Sequence, residues 1–119
     1  MDELSETLRA LSDPSRRRQL ERLTHGSATS GQLAELLTMS RPAGSQHLAV
    51  LAGSGLVDSA AVGRQRWHTL QPDRLYTARA WLDRLLTQWE ATAAATGSAP
   101  AGQGPDRAPA SVIVMSDSS

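Results

Sequence analysis

Helix-start and helix-stop signals crowd the first half of this chain, so nothing before Pro72 has room to be more than a short element. Ser12-Asp13-Pro14 offers an N-cap followed by a first-turn proline, and Gly26 ends the helix that follows. Thr29-x-x-Gln32 has the spacing of a capping box and opens a third helix that ends near Thr38-Met39. Ser40 caps a fourth, with Pro42 tolerated in its first turn, and Gly53 and Gly55 close it.

The apolar residues fit these boundaries. Leu4, Leu8 and Leu11 have the i, i+4, i+7 spacing of an amphipathic helix. Leu20 and Leu23 give the second helix its inward face, Leu33, Leu36 and Leu37 the third, and Leu48 and Leu51 the fourth. Two short helices joined by a tight turn, the second capped and thinly apolar, make a helix-turn-helix. Leu56-Val57 starts an extended run that Gly63 breaks and Arg64 to Leu70 resumes, with Trp67 and Leu70 as apolar members; this predicts a β-hairpin. From Pro72, a last helix carries Leu75, Ala78, Leu82, Leu85, Leu86 and Trp89 at helical spacing for about five turns. The expected fold is mainly α with a small hairpin: a winged helix-turn-helix of about five helices plus a two-stranded wing, over residues 1–92. The surplus apolar stripe of the last helix, with Leu8, predicts a homodimer interface.

From Ala93 the chain is mostly Ala, Gly, Ser, Pro and Thr, a composition too poor in apolar surface to offset its ordering entropy. Residues 93–119 therefore read as a disordered tail. Its exception is Val112-Ile113-Val114-Met115, a sticky run that also admits a protein partner. Cysteine is absent, which removes disulfides, thiolate metal sites and thiol redox sensing. With neither a signal peptide nor an apolar run long enough for a membrane, the expected location is cytoplasmic and the expected partners include no membrane. The formal net charge is zero, and every basic side chain is Arg. Distribution says more than the sum: Arg16, Arg17 and Arg18 form a block, and Arg41, Arg64 and Arg66 fall in the fourth helix and the hairpin. Consecutive arginines on a helix fan out too widely to share a face, so one or two of the block are expected in intramolecular ion pairs.

The stretches Ala10-Leu-Ser-Asp-Pro-Ser-Arg-Arg-Arg18, Gln32-Leu-Ala-Glu-Leu-Leu37 and Ser40-Arg-Pro-Ala-Gly-Ser-Gln-His-Leu48 resemble the ArsR/SmtB family of bacterial regulators. So do Leu51-Ala-Gly-Ser-Gly-Leu-Val57 and Gly63-Arg-Gln-Arg-Trp67, in the same order, over about residues 4 to 92. The resemblance implies a dimeric winged helix-turn-helix protein that binds double-stranded operator DNA, in many members repressing its own operon until a metal or another signal releases it. Arg79-Ala-Trp-Leu-Asp-Arg84 is similar to the branch without metal-binding cysteines. Two departures stand out. Gly44 occupies a recognition-helix position where the family usually has a larger residue, and Asp58, Ala60 and Ala61 lie where the wing is often basic.

Recognition helices offer their N-terminal residues to base edges, which makes Ser40, Arg41, Ser45, Gln46 and His47 the candidates. Arg41 suits guanine or a phosphate and Gln46 suits adenine, while His47 fits phosphate contact or packing better than base reading. Arg64 and Arg66 are expected on backbone or minor groove, or on a solvated hairpin tip. The family's metal positions are not intact: Thr29 and Gly31 are not soft ligands, and Asp73, Asp83 and Glu90 on the last helix have no histidine among them. A nonstandard site would draw on His25, His47 and His68 with carboxylates, a set suited to Ni or Zn as effector; His68 beside Trp67 reads more simply as a packed strand residue. Tyr76, Trp81 and Trp89 offer either a pocket for an apolar effector or interface core. Against an enzyme stands the lack of any phosphate-binding loop, metal triad or nucleophile in a recognisable turn. A protein-interaction module on the same scaffold, with little DNA binding, is the remaining class.

Overall fold

The computed structural model describes residues 2–97 and divides the chain after Trp81 into two units. Among the described residues there are five helices and three strands: α1 (Glu3–Ala10), α2 (Pro14–Leu23), β1 (Ala28–Thr29), α3 (Ser30–Leu36), α4 (Arg41–Gly53), β2 (Val57–Val62), β3 (Gln65–Leu70) and α5 (Asp73–Thr96). The tail run at 112–115 lies outside them. No described helix is long and apolar enough to cross a membrane.

The caps act where the sequence places them. Asp13 accepts from the Arg16 N–H at 3.0 Å with Pro14 in the first turn of α2. At α3 the capping box is reciprocal: Thr29 Oγ1 accepts from the Gln32 N–H at 3.1 Å, and Gln32 Oε1 accepts from the Thr29 N–H at 2.9 Å. Ser40 Oγ accepts from the Ala43 N–H at 3.2 Å to start α4. The turn between α3 and α4 places Thr38 at φ 54°, a left-handed conformation for a residue with a Cβ.

The hairpin pairs Val57 with Leu70 through to Val62 with Gln65, leaving Gly63-Arg64 as a two-residue loop with Gly63 at φ 64°. Positive φ in the first loop position is what a type II′ turn requires. The expected two-stranded wing gains a third strand, because β1 pairs antiparallel with β3, Ala28 opposite His68 and Thr29 opposite Trp67, in the order β1-β3-β2. A two-residue strand is too short to show alternation in a sequence.

Ala10, Leu20, Leu23, Ala28, Leu33, Leu48, Leu51, Leu56 and Val57 form one buried cluster, with Leu11, Leu70 and Leu75 partly buried against it. Three expectations change. The buried face of α1 is Thr7 and Ala10, while Leu8 is 37% exposed. Leu36, assigned to the inner face of α3, is 59% exposed, because Leu33 and Ala34 already fill the contact of so short a helix. Finally, α5 runs past Thr92 through Ala93-Ala94-Ala95, all strong helix formers, to Thr96, where Gly97 takes φ 76°.

Two buried polar side chains are set into this frame. Gln19 on α2 is fully buried; its Nε2 donates to the Gly44 carbonyl of α4 at 3.2 Å, while Oε1 has no partner. A Cβ at Gly44 would crowd Met39, 3.3 Å from its Sδ, and would make ordinary contact with Gln19 Nε2 at 3.9 Å. His68 on β3 is 3% exposed, with Nε2 at 2.7 Å from Ser30 Oγ and Nδ1 at 2.7 Å from Ser59 Oγ. Burial, and secondarily the Arg66 charge, pushes its pKa below the ordinary value of 6.5.

An unpaired buried carbonyl costs about 1–3 kcal/mol, so Gln19→Leu, which removes the orphan together with the bond to Gly44 and the weak one to Met39 Sδ, is expected to raise stability by roughly 1 kcal/mol. Urea denaturation checks this, and a clear loss would mean that the bond to Gly44 outweighs the orphan. The depressed His68 pKa sets a pH dependence. The unfolded chain takes the proton first, so this contribution is complete above about pH 6.5 and is lost as pH falls toward the folded-state value. His68→Gln is expected to flatten that acid decline in thermal melts recorded across pH 5 to 8.

Candidate nucleic-acid interface

The first turns of α4 face outward on one side. Arg41, Ser45 and Gln46 are exposed, and Arg41 and Ser45, four residues apart, lie on one line of the helix. Ser40 is exposed too, but its hydroxyl is engaged in the cap. His47 turns the other way. It is half-buried, with Nδ1 at 3.4 Å from Arg16 Nη1 and 3.8 Å from Asp13 Oδ2, so it packs α4 onto the start of α2. The Arg16 N–H, and then the nearby His47 and Arg16 charges, hold the Asp13 carboxyl below the usual carboxylate range.

A cleft of about 290 Å³ lies between α4, the first turn of α3 and the hairpin. Arg41 and Ser45 line it from α4, Arg64 and Arg66 from the hairpin, and Ser30 and Gly31 from α3; no acidic side chain does. The Arg41 guanidinium lies against Gly31: a Cβ there would be in ordinary contact with it, 3.4 Å from Nη2. Among the described residues, the guanidinium groups of Arg41, Arg64 and Arg66 make no hydrogen bond or ion pair within the chain, so each keeps all its donors for a partner.

The Arg16–Arg18 block behaves otherwise, and not as the expected ion pairs. Arg16 donates to the carbonyls of Ala10 at 2.7 Å and Arg9 at 3.1 Å, and Arg17 to that of Leu11 at 2.6 Å. Arg18 donates to the Leu37 carbonyl at 3.2 Å. All three close the orphan carbonyls at the ends of α1 and α3. Arg74, not singled out in the sequence, clamps the α4–β2 turn: it donates to the Ser54 carbonyl at 3.1 Å, pairs with Glu3 at 3.4 Å and lies over Gly55.

The histidines do not assemble. His25 is exposed in the turn after α2, His47 is on α4 and His68 on β3, with both His68 ring nitrogens held by serines. Among the described residues no group of three or more His, Cys, Asp or Glu is placed to hold a metal ion. Tyr76 is exposed, with Arg79 Cζ 5.1 Å from its ring centre. In the second unit, Leu82, Leu85, Leu86 and Trp89 are each exposed by between 44% and 56%, a continuous apolar stripe. The cleft residues that sequence reasoning missed as such are Thr29, Ser30, Gly31 and Gln65; only the two-residue hairpin loop, which fixes Gln65 opposite Val62, carried a signal for any of them.

Residues 13–59 match the family described as bacterial regulatory protein, arsR family. The chain is 46% identical over 79 residues to the HTH-type transcriptional regulator Rv2034 of Mycobacterium tuberculosis, spanning 66% of this chain and 74% of the relative. It is 29% identical over 79 residues to the transcriptional repressor SdpR of Bacillus subtilis, spanning 66% and 88%. Among solved structures, an ArsR-like transcriptional regulator from Rhodococcus sp. RHA1 superposes with a TM-score of 0.70 at 33% identity, covering 79% of this chain and 89% of that one. On sequence and fold together, the chain belongs to the ArsR family of bacterial regulatory proteins and is a DNA-binding transcriptional regulator.

Proposed function

We propose that this regulator binds its operator as a homodimer, with α4 in the major groove and the wing on the flanking backbone. The observation that carries this reading is the acid-free cleft. Three arginines without intramolecular partners surround it, beside the exposed line of Arg41 and Ser45. Arg41 and Gln46 are the base-reading candidates, and Ser40 and Ser45 bond phosphate or base edges from the same helix end. Arg64 and Arg66 hold backbone or minor groove and supply affinity more than preference. His47 serves by fixing the helix on α2 rather than by touching DNA.

The second copy is assigned to the stripe of Leu82, Leu85, Leu86 and Trp89, because a soluble helix does not stably expose so continuous an apolar face. Leu8 is exposed enough to take part, while Leu75 is already partly packed against the core. Two-fold symmetry then implies an inverted-repeat operator with half-sites about one helical turn apart. Repression is the sign we assign, in keeping with the repressor among the relatives.

Arg41→Ala is expected to weaken operator binding tenfold or more, about 1–3 kcal/mol for a bidentate base contact, and to weaken random-sequence binding less. Fluorescence anisotropy at several salt concentrations checks both, with log affinity falling against log salt by about 0.9 per phosphate neutralised. Equal losses on both DNAs would assign Arg41 to phosphate, and a flat salt dependence would favour a protein-interaction module. The double variant Leu82→Asp/Leu86→Asp is expected to sediment as a monomer and to lose most operator affinity, because linkage of the two half-sites is gone; a persistent dimer would place the interface elsewhere.

A further inference from the structure

A second groove, of about 330 Å³, lies between α4 and the sheet and shares Ser30, Ser45 and Arg66 with the cleft just described. Leu48, Ala49 and Ala52 of α4 give it apolar lining, and Arg66 of β3 gives it a cationic one. No acidic side chain lines it. His68 and Ser59 also line it, and the register explains why: Ser59 pairs directly with His68, and Arg66, two residues from His68, is on the same face of β3.

The chemistry at the sheet is set by proton counting. A neutral imidazole has one N–H and one bare nitrogen, yet both nitrogens of His68 lie 2.7 Å from a serine hydroxyl. One serine therefore donates to the bare nitrogen, while the other accepts the N–H and keeps its own hydroxyl proton. Neither hydroxyl has any other hydrogen bond among the described residues. An O–H donor is thus left over in a groove that also holds an unpaired guanidinium, and the burial that keeps His68 neutral maintains this arrangement. Free donors together with apolar side chains in one groove suit a small acceptor-rich anion with a short apolar body.

We propose that this groove is an effector site for a small organic carboxylate, whose oxygens meet Arg66 and the spare serine hydroxyl and whose body lies along Leu48, Ala49 and Ala52. Since Ser45 and Arg66 also line the DNA-facing cleft, an occupied groove withdraws them from DNA and lowers operator affinity. The regulatory half rests on the DNA-binding reading above; the binding half does not.

Benzoate is a suitable probe, with benzamide as its neutral isostere, inorganic phosphate as an anion without an apolar body, and chloride matching the ionic strength. The His68 ring signals of the full chain, identified by their absence in His68→Gln, report binding without DNA. Benzoate is expected to shift them saturably in the millimolar range, and Ser59→Leu, which removes a hydroxyl and fills the groove beside it, to weaken that binding at least tenfold while leaving operator binding without benzoate unchanged. No saturable shift, or an equal shift with benzamide, would overturn the site. A phosphate response as strong as that to benzoate would overturn the assignment to an organic carboxylate. In parallel anisotropy, benzoate is expected to weaken operator binding of the wild type by fivefold or more and that of Ser59→Leu much less. Saturable benzoate binding with unchanged operator affinity would overturn the regulatory half alone, and failure to bind operator even without benzoate would sink the DNA reading rather than the site.

Discussion

Main-chain carbonyls without partners are the constraint around which the packed unit is arranged. A chain of short helices carries many helix ends, and each end leaves carbonyls that water or a side chain must satisfy. In this protein α2 serves several of them. Arg16 and Arg17 close the end of α1, Arg18 closes α3, and Arg22 reaches the Gly26 carbonyl at 3.0 Å in the turn beyond its own helix. The same helix sends Gln19 inward to the Gly44 carbonyl of α4. One ten-residue helix therefore ties α1, the helix-turn-helix turn and the recognition helix together by hydrogen bonds, and apolar burial fills the space between.

That division of labour resolves an apparent difficulty in the charge balance. A net charge of zero is unpromising for a protein that meets a polyanion. Yet the arginines on α2 are turned to the protein's own carbonyls, and those at Arg41, Arg64 and Arg66 are left without acids beside them. Over distances comparable to the Debye length, the local field of an acid-free cleft matters more than the sum over the chain. The weakly charged hairpin strands follow the same pattern, since Arg64 and Arg66 come from the loop and from β3.

What was legible in the sequence is what is local. Asp13, Thr29 with Gln32, and Ser40 marked three helix starts because a cap and its target N–H are three residues apart. Gly63 marked the hairpin loop for the same reason. The illegible parts depend on contacts between distant residues. The strand at Ala28–Thr29 exists only because β3 lies beside it, and Leu36 is exposed only because Leu33 and Ala34 complete the contact of α3. The Gly44 anomaly could be noticed from the sequence, but not that a side chain there would crowd Met39. The candidate interface was legible as a set of residue types; that Arg41 lies against Gly31 and that His47 packs onto the start of α2 were not.

Thr29 belongs to two elements at once. Its backbone is the last position of β1, opposite Trp67 of the wing, and its hydroxyl is the cap of α3. The N–H of Thr29 returns the bond from Gln32. Wing and helix-turn-helix thus share a rigid joint rather than a slack tether. A tilt of the hairpin cannot be absorbed in a loop at this point; it must either break the capping box or carry the start of α3 with it. Whatever presses on the wing is therefore felt as torque on α3, and through the turn at Thr38 the same lever arm ends at α4, the helix to which base reading is assigned above.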